Sequence, residues 1–125
     1  MKIPILYKGT DIEFSIQIWQ DQLRTIPVNL DDLLEIVCHI YTTQIDIKLF
    51  SKTNRTPSYV QLIRISATEY KGILEGIVSA GMKSGDMTLE IWTATTDSQI
   101  STGRFKSAGR GIIGNLYDIS TKNEI

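Results

Sequence analysis

The chain alternates. In Asp11-Ile12-Glu13-Phe14-Ser15-Ile16-Gln17-Ile18-Trp19 the even positions are all apolar, and Glu13, Ser15 and Gln17 are polar. A period of two marks a strand with one buried and one wet face, because successive side chains point to opposite sides of a sheet. Gly9-Thr10-Asp11 reads as a turn before it, with a short strand from Ile3 to Tyr7 ahead of that turn. Past a polar stretch from Gln20 to Thr25, Ile26-Pro27-Val28-Asn29-Leu30 reads as a sheet edge or an extended connection, since Pro27 has no N–H for a ladder. Glu35 to Thr43 sets Ile36, Cys38 and Ile40 against Val37, His39 and Tyr41. Both faces are fairly apolar, which suits a central strand covered on two sides or one at an interface.

Ile45 to Leu49 alternates again and is expected to pair with that strand across Thr43-Gln44. Ser51 to Ser58 has loop composition, and Tyr59 to Ile65 returns to β-branched and aromatic residues. Ser66-Ala67-Thr68-Glu69 has capping-box spacing, and Tyr70, Ile73, Leu74 and Ile77 follow it at helical intervals. Gly72 and Gly76 each weaken a helix by about 1 kcal/mol, so the prediction is a helical turn or two near 67–75. Lys83 to Asp86 is a turn. Met87 to Thr93 follows as a strand with Met87, Leu89 and Ile91 inward, Thr95 to Ser98 is a second turn, and a last strand starts around Arg104-Phe105. Together these predict an all-β fold, an immunoglobulin-like β-sandwich of about seven strands. An open two-layer α+β fold is the alternative if 67–80 is wholly helical. One domain over 1–119 is expected, with 120–125 as a frayed tail.

Composition narrows the function more than it names it. Hydrophobic residues at 42% and charged residues at 22% of 125 are ordinary globular usage, which argues against disorder. Thirteen basic and fourteen acidic side chains give a net charge of -1, which removes the clustered positive excess that nucleic-acid binding needs. A single cysteine, Cys38, leaves no disulfide framework, not even the inter-sheet bridge of a true immunoglobulin domain, and no multi-cysteine zinc site. The opening residues lack the longer apolar region and cleavage site of a signal peptide, and no run approaches a membrane span. Synthesis in the cytoplasm is therefore expected.

Catalytic and ligand-binding motifs are sparse. Gly109-Arg110-Gly111-Ile112-Ile113-Gly114 has the spacing of a dinucleotide loop, yet eleven residues after Gly114 cannot supply the helix, second strand and acidic ribose ligand. A glycine-tolerant edge strand or bulge is the simpler reading. Cys38 as nucleophile and His39 as base cannot serve each other, because neighbours on a strand face opposite ways. The simpler reading makes Cys38 a small buried hydrophobe and His39 an outer-face residue. Asp31-Asp32 with Glu35 lacks the calcium loop, and Asn54-Arg55-Thr56 is a glycosylation sequon without a secretory route. Two basic groups, Lys48 with Lys52 and Arg55, and Arg104 with Lys106 and Arg110, read as solvated loop and edge charges. No catalytic, cofactor or metal residue is assigned. The aromatics are more telling. Trp19 and Trp92 fall opposite the apolar alternation of their strands, as Tyr41 does, and outward aromatics anchor protein contacts. These three form the candidate interaction surface.

The order of features resembles the N-terminal immunoglobulin-like domain of phage upper-baseplate proteins, the tail-fibre adaptors. The resemblance lies in Tyr7-Lys8-Gly9-Thr10-Asp11-Ile12-Glu13-Phe14-Ser15-Ile16 and in Ile26-Pro27-Val28-Asn29-Leu30, where the family often has Asp at the position of Asn29. It continues in Ser66-Ala67-Thr68-Glu69-Tyr70 with Leu74, and in Lys83-Ser84-Gly85-Asp86-Met87-Thr88-Leu89-Glu90-Ile91. It implies a non-catalytic structural module of phage or prophage origin that docks to copies of itself or to other tail proteins, with the virion tail as its final place. A carbohydrate- or surface-binding module using Trp19, Tyr41 and Trp92 is the alternative, and a small enzyme using His39 ranks third.

Overall fold

The computed structural model describes residues 3–53 and 58–118, with only the backbone of 101 and 102. The sequon 54–56 and the tail 120–125 lie outside the described residues. Nine strands form two sheets among the described residues: β1 (Ile5–Tyr7), β2 (Ile12–Ile16), β3 (Glu35–Tyr41), β4 (Lys48–Ser51), β5 (Tyr59–Gln61), β6 (Ile63–Ser66), β7 (Glu69–Leu74), β8 (Gly85–Asp97) and β9 (Ile100–Tyr117). A six-stranded sheet runs β1-β9-β8-β3-β4-β5, and a three-stranded sheet runs β2-β7-β6. This is an immunoglobulin-like sandwich. Its small sheet and the β9-β8-β3-β4-β5 run follow the variable-type order, while β1 lies parallel on β9 instead of on β2.

The core sits where the two alternations meet. Ile12, Phe14 and Ile16 project from β2, and Ile36, Cys38 and Ile40 from β3, all buried. The Phe14 ring meets Phe50 of β4 edge-on, with centroids 5.0 Å apart, and joins the layers. The ring also packs against Gly72, its register partner on β7, where an added Cβ would come within 2.3 Å of the Phe14 ring. Gly72 therefore makes room for Phe14.

That contact explains the clearest correction. Residues 67–75 are not a helical turn: β7 occupies Glu69–Leu74, and the helix α1 comes later, at Gly76–Ser79. Tyr70 and Leu74 are four apart, a spacing that both periods allow, and Gly72 between them decides for the strand. The capping-box residues make a hairpin turn, in which the Thr68 N–H donates to Ser66 Oγ. Glu69 turns instead to β2 and accepts from Ser15 Oγ at 3.0 Å.

Three strand boundaries also move. The strand expected at 45–49 is β4, at Lys48–Ser51, and it does pair with β3. Ile45 is 84% exposed, because buried Asp46 folds 42–46 into a loop. Asp46 accepts the N–H groups of Thr42, Thr43 and Lys83 and the Thr42 hydroxyl. The stretch 59–65 divides at buried Leu62, where the chain leaves the large sheet for the small one. The last hairpin is longer than expected, since β8 runs to Asp97 and β9 starts at Ile100. Asp97 closes it by accepting the Gln99 N–H and pairing with Arg104 at 2.8 Å.

Candidate interaction surface

The small sheet covers one face of the large sheet. Met87 and Leu89 of β8 point into that core, so the register turns Thr88, Glu90 and Trp92 outward, and their neighbours with them. Two rows cross this outer face. One runs Tyr59, Leu49, His39, Glu90, Arg110 from β5 to β9. The other runs Gln61, Ser51, Val37, Trp92, Ser107. Tyr41 stands beside Thr88 and Ile112, and Tyr7 beside Tyr117 at the β1 side. Four of the five tyrosines (Tyr7, Tyr41, Tyr59 and Tyr117) thus share a face with Trp92 and Phe105.

The centre of the face is ordered by side-chain contacts. The His39 and Trp92 rings stack with centroids 4.6 Å apart, tilted by 51°. Tyr41 donates its hydroxyl to Glu90 Oε2 at 2.7 Å, and Arg110 reaches the same oxygen at 3.4 Å. The bond to Glu90, and then burial, push the Tyr41 hydroxyl above its ordinary pKa, so it stays a donor. At one end, buried Glu35 accepts the N–H groups of Ile36, Lys52 and Thr53 and fixes the start of β3 to the end of β4. Around this ordered centre, Ile5, Tyr7, Phe105, Ile112 and Tyr117 stand exposed. Large apolar groups with fixed rotamers and few charges lose little freedom on docking.

Of the three residues expected at this surface, the structure brings two together. Tyr41 and Trp92 lie on adjacent strands of one face. Trp19 does not join them. It follows β2, bridges to Pro27, and sits in a loop closed by the Val28 N–H to the Ile18 carbonyl at 2.8 Å. Sequence reasoning missed Tyr7, Tyr59, Phe105 and Tyr117. Each is an aromatic in or beside an expected strand, but its side depends on a register that only the pairing supplies.

The remaining candidates have structural roles or none. Cys38 points into the core, and burial pushes its thiol up to about 12, far from a nucleophile's range. His39 points the other way. The glycine motif lies within β9, which departs from regular register between Ile91 and Trp92 of its partner, and Gly109 has φ +144°. Asp31 binds Arg64 at 2.8 Å and Tyr70 at 2.7 Å, which together hold its carboxyl down at about 2. Asp31 and Glu35 therefore serve different partners. A cleft of about 360 Å3 opens at the sandwich flank, between β4 and β5 and the β7–α1 segment. Its walls are mostly apolar, with Lys48 and Glu75 the charged members. No helix among the described residues is long and apolar enough to cross a membrane. Comparison of the chain with family models, curated proteins and solved structures returns no match.

Proposed function

We propose that this chain is a non-catalytic assembly module that docks through the outer face of its six-stranded sheet. The observation that carries the reading is the gathering of Tyr41, Trp92, Tyr59 and His39 on the one large face that the small sheet does not cover. Such a face binds by area and shape and needs no titrating group. The resemblance to phage upper-baseplate domains supports the same reading and supplies the setting, a tail or fibre-associated component that meets itself or other tail proteins. The carbohydrate- or surface-binding alternative draws on Trp19, Tyr41 and Trp92, of which Tyr41 and Trp92 are neighbours on the large sheet while Trp19 sits in the loop after β2.

The test is direct binding of the purified chain to the products of the genes beside its own, by cross-linking and light scattering. Binding that Trp92→Ala or Tyr41→Ala lowers at least tenfold, with the circular dichroism unchanged, supports the reading. Binding that both variants leave intact contradicts it.

A further inference from the structure

We propose that the flank cleft is a docking slot for an extended segment of a partner protein, which adds as a strand to β7 and seats a large apolar side chain between the two layers. The inference goes beyond the docking role of the outer face and does not depend on it.

The backbone is the first argument. β7 runs Glu69–Leu74, but β6 pairs only with its residues 69–71. β6 cannot continue along Gly72–Leu74, because the Leu62 N–H just before it donates to the Ser51 carbonyl of the large sheet at 2.8 Å. Among the described residues that side of Gly72–Leu74 has no backbone partner, whereas the other side is paired with β2 throughout. Peptide groups alternate in direction along a strand, so either Ile73 or its two neighbours turn N–H and C=O toward the gap. With Ile73 and Leu74 on one wall, Phe50 and Val60 on the other, and no described residue of β6 between them, the cleft occupies that gap. A hydrocarbon leaves those peptide groups unmet, and an added strand pairs them.

Shape is the second. The cleft of about 360 Å3 has room for about a dozen water-sized groups, which is one large apolar side chain with the backbone that carries it. Phe50 and Leu74 belong to the core and also line the cleft, so a side chain seated there extends the core.

Charge is the third, and it sets the flanking residues of the segment. Lys48 shares the inward parity of its register partner, buried Ile40, and stands on the large-sheet wall, with Glu75 on the small-sheet wall. Neither side chain has an ion-pair or hydrogen-bond partner among the described residues. A segment with an acidic residue on one side of its apolar anchor and a basic residue on the other meets both, whereas a fatty acid meets Lys48 and leaves Glu75 opposed.

The experiment titrates the full chain with two blocked five-residue peptides, followed by amide chemical shifts. Each has leucine at the centre and valine on either side; one runs from lysine to glutamate, the other from glutamate to lysine. One order should bind saturably below about 1 mM, with shifts centred on 47–50, 60 and 72–78. Serine in place of the central leucine should weaken binding about tenfold or more. Of two N-methylated versions, one altered at the leucine and one at both valines, one should lose binding and the other keep it. Val60→Trp fills the cleft from a half-exposed edge position and should weaken binding about tenfold; Lys48→Glu should weaken it about fivefold and keeps the test open if Val60→Trp fails to fold. Tyr41→Ala on the outer face should leave it unchanged, so the two docking sites fail separately. Absence of saturable binding by both peptides overturns the proposal, as does binding that survives both N-methylations or that hexanoate matches at equal concentration.

Discussion

The two sheets turn very different exteriors to the surroundings. On the small sheet the outward positions of β2 are Glu13 and Ser15, which stand opposite Ile73 and Lys71 of β7. Lys71 reaches Glu13 at 3.5 Å, and Ser15 donates to Glu69 at 3.0 Å. On the large sheet the same outward parity yields Tyr41, Trp92, Val37, Leu49 and Tyr59. Both sheets bury their other face in one shared core, so stability alone does not explain the difference. The small sheet exposes Ile63 and Ile65 of β6, but it gathers no aromatic side chains on its exterior, and its β2 edge is built for solvation. The large sheet carries half-buried Tyr41, Trp92, Leu49 and Tyr59 outside the shared core, with Tyr7, Phe105, Ile112 and Tyr117 exposed around them, which fits the contact surface proposed above.

The most forceful way to break the comparison is to part the layers. Phe14→Ala removes the ring that bridges Gly72 and Phe50, and should lower unfolding stability by about 3–4 kcal/mol in urea titrations. Both exteriors then fail together. A subtler cut uses acid. Burial pushes the Asp46 carboxyl up, but the N–H groups of Lys83 and Thr43 and the Thr42 hydroxyl outweigh it and hold it at about 2, below the ordinary 3.8. A depressed folded value means that its stabilisation is complete above about pH 4 and drains away as pH falls toward 2. Asp46 ties the loop after β3 to the one before β8, so amide exchange in 42–46 should quicken through that window, and Asp46→Asn should flatten the change. A third variant sharpens the contrast at small cost. Tyr41→Phe deletes the bond to Glu90 and should cost about 1 kcal/mol in the same titrations, without unfolding the sheet. Least of all, Lys71→Ala on the small sheet breaks an exposed ion pair and should stay within about 0.5 kcal/mol.

Much of this architecture was legible in the chain, and the reasons are specific. Ile12, Phe14 and Ile16 alternate without ambiguity, and all three are core. Ile36, Cys38 and Ile40 likewise gave away a central strand, and the apolar side chains opposite them gave away its second face. The errors fall where one residue satisfies two periods or where a polar anchor bends the chain. Tyr70 and Leu74 suit a helix as well as a strand until the Phe14–Gly72 contact is known. Ile45 and Ile47 mimic a strand because nothing local announces that Asp46 will be drawn in by Lys83, far along the sequence. The surface was half legible. Parity placed Tyr41 and Trp92 outward, but whether two outward residues share a sheet depends on topology, which separated Trp19 and recruited Tyr7, Tyr59 and Tyr117.

Hydroxyl-radical footprinting of the full chain, alone and together with the products of the neighbouring genes, tests the central claim most directly, because it reads both exteriors in one sample. Oxidation of Trp92, Tyr41 and Tyr59 should fall in the bound chain, while Ile63 and Ile65 of the small sheet react at an unchanged rate. Protection confined to Ile63 and Ile65, or reactivity of Trp92 and Tyr41 indifferent to a bound partner, would contradict it.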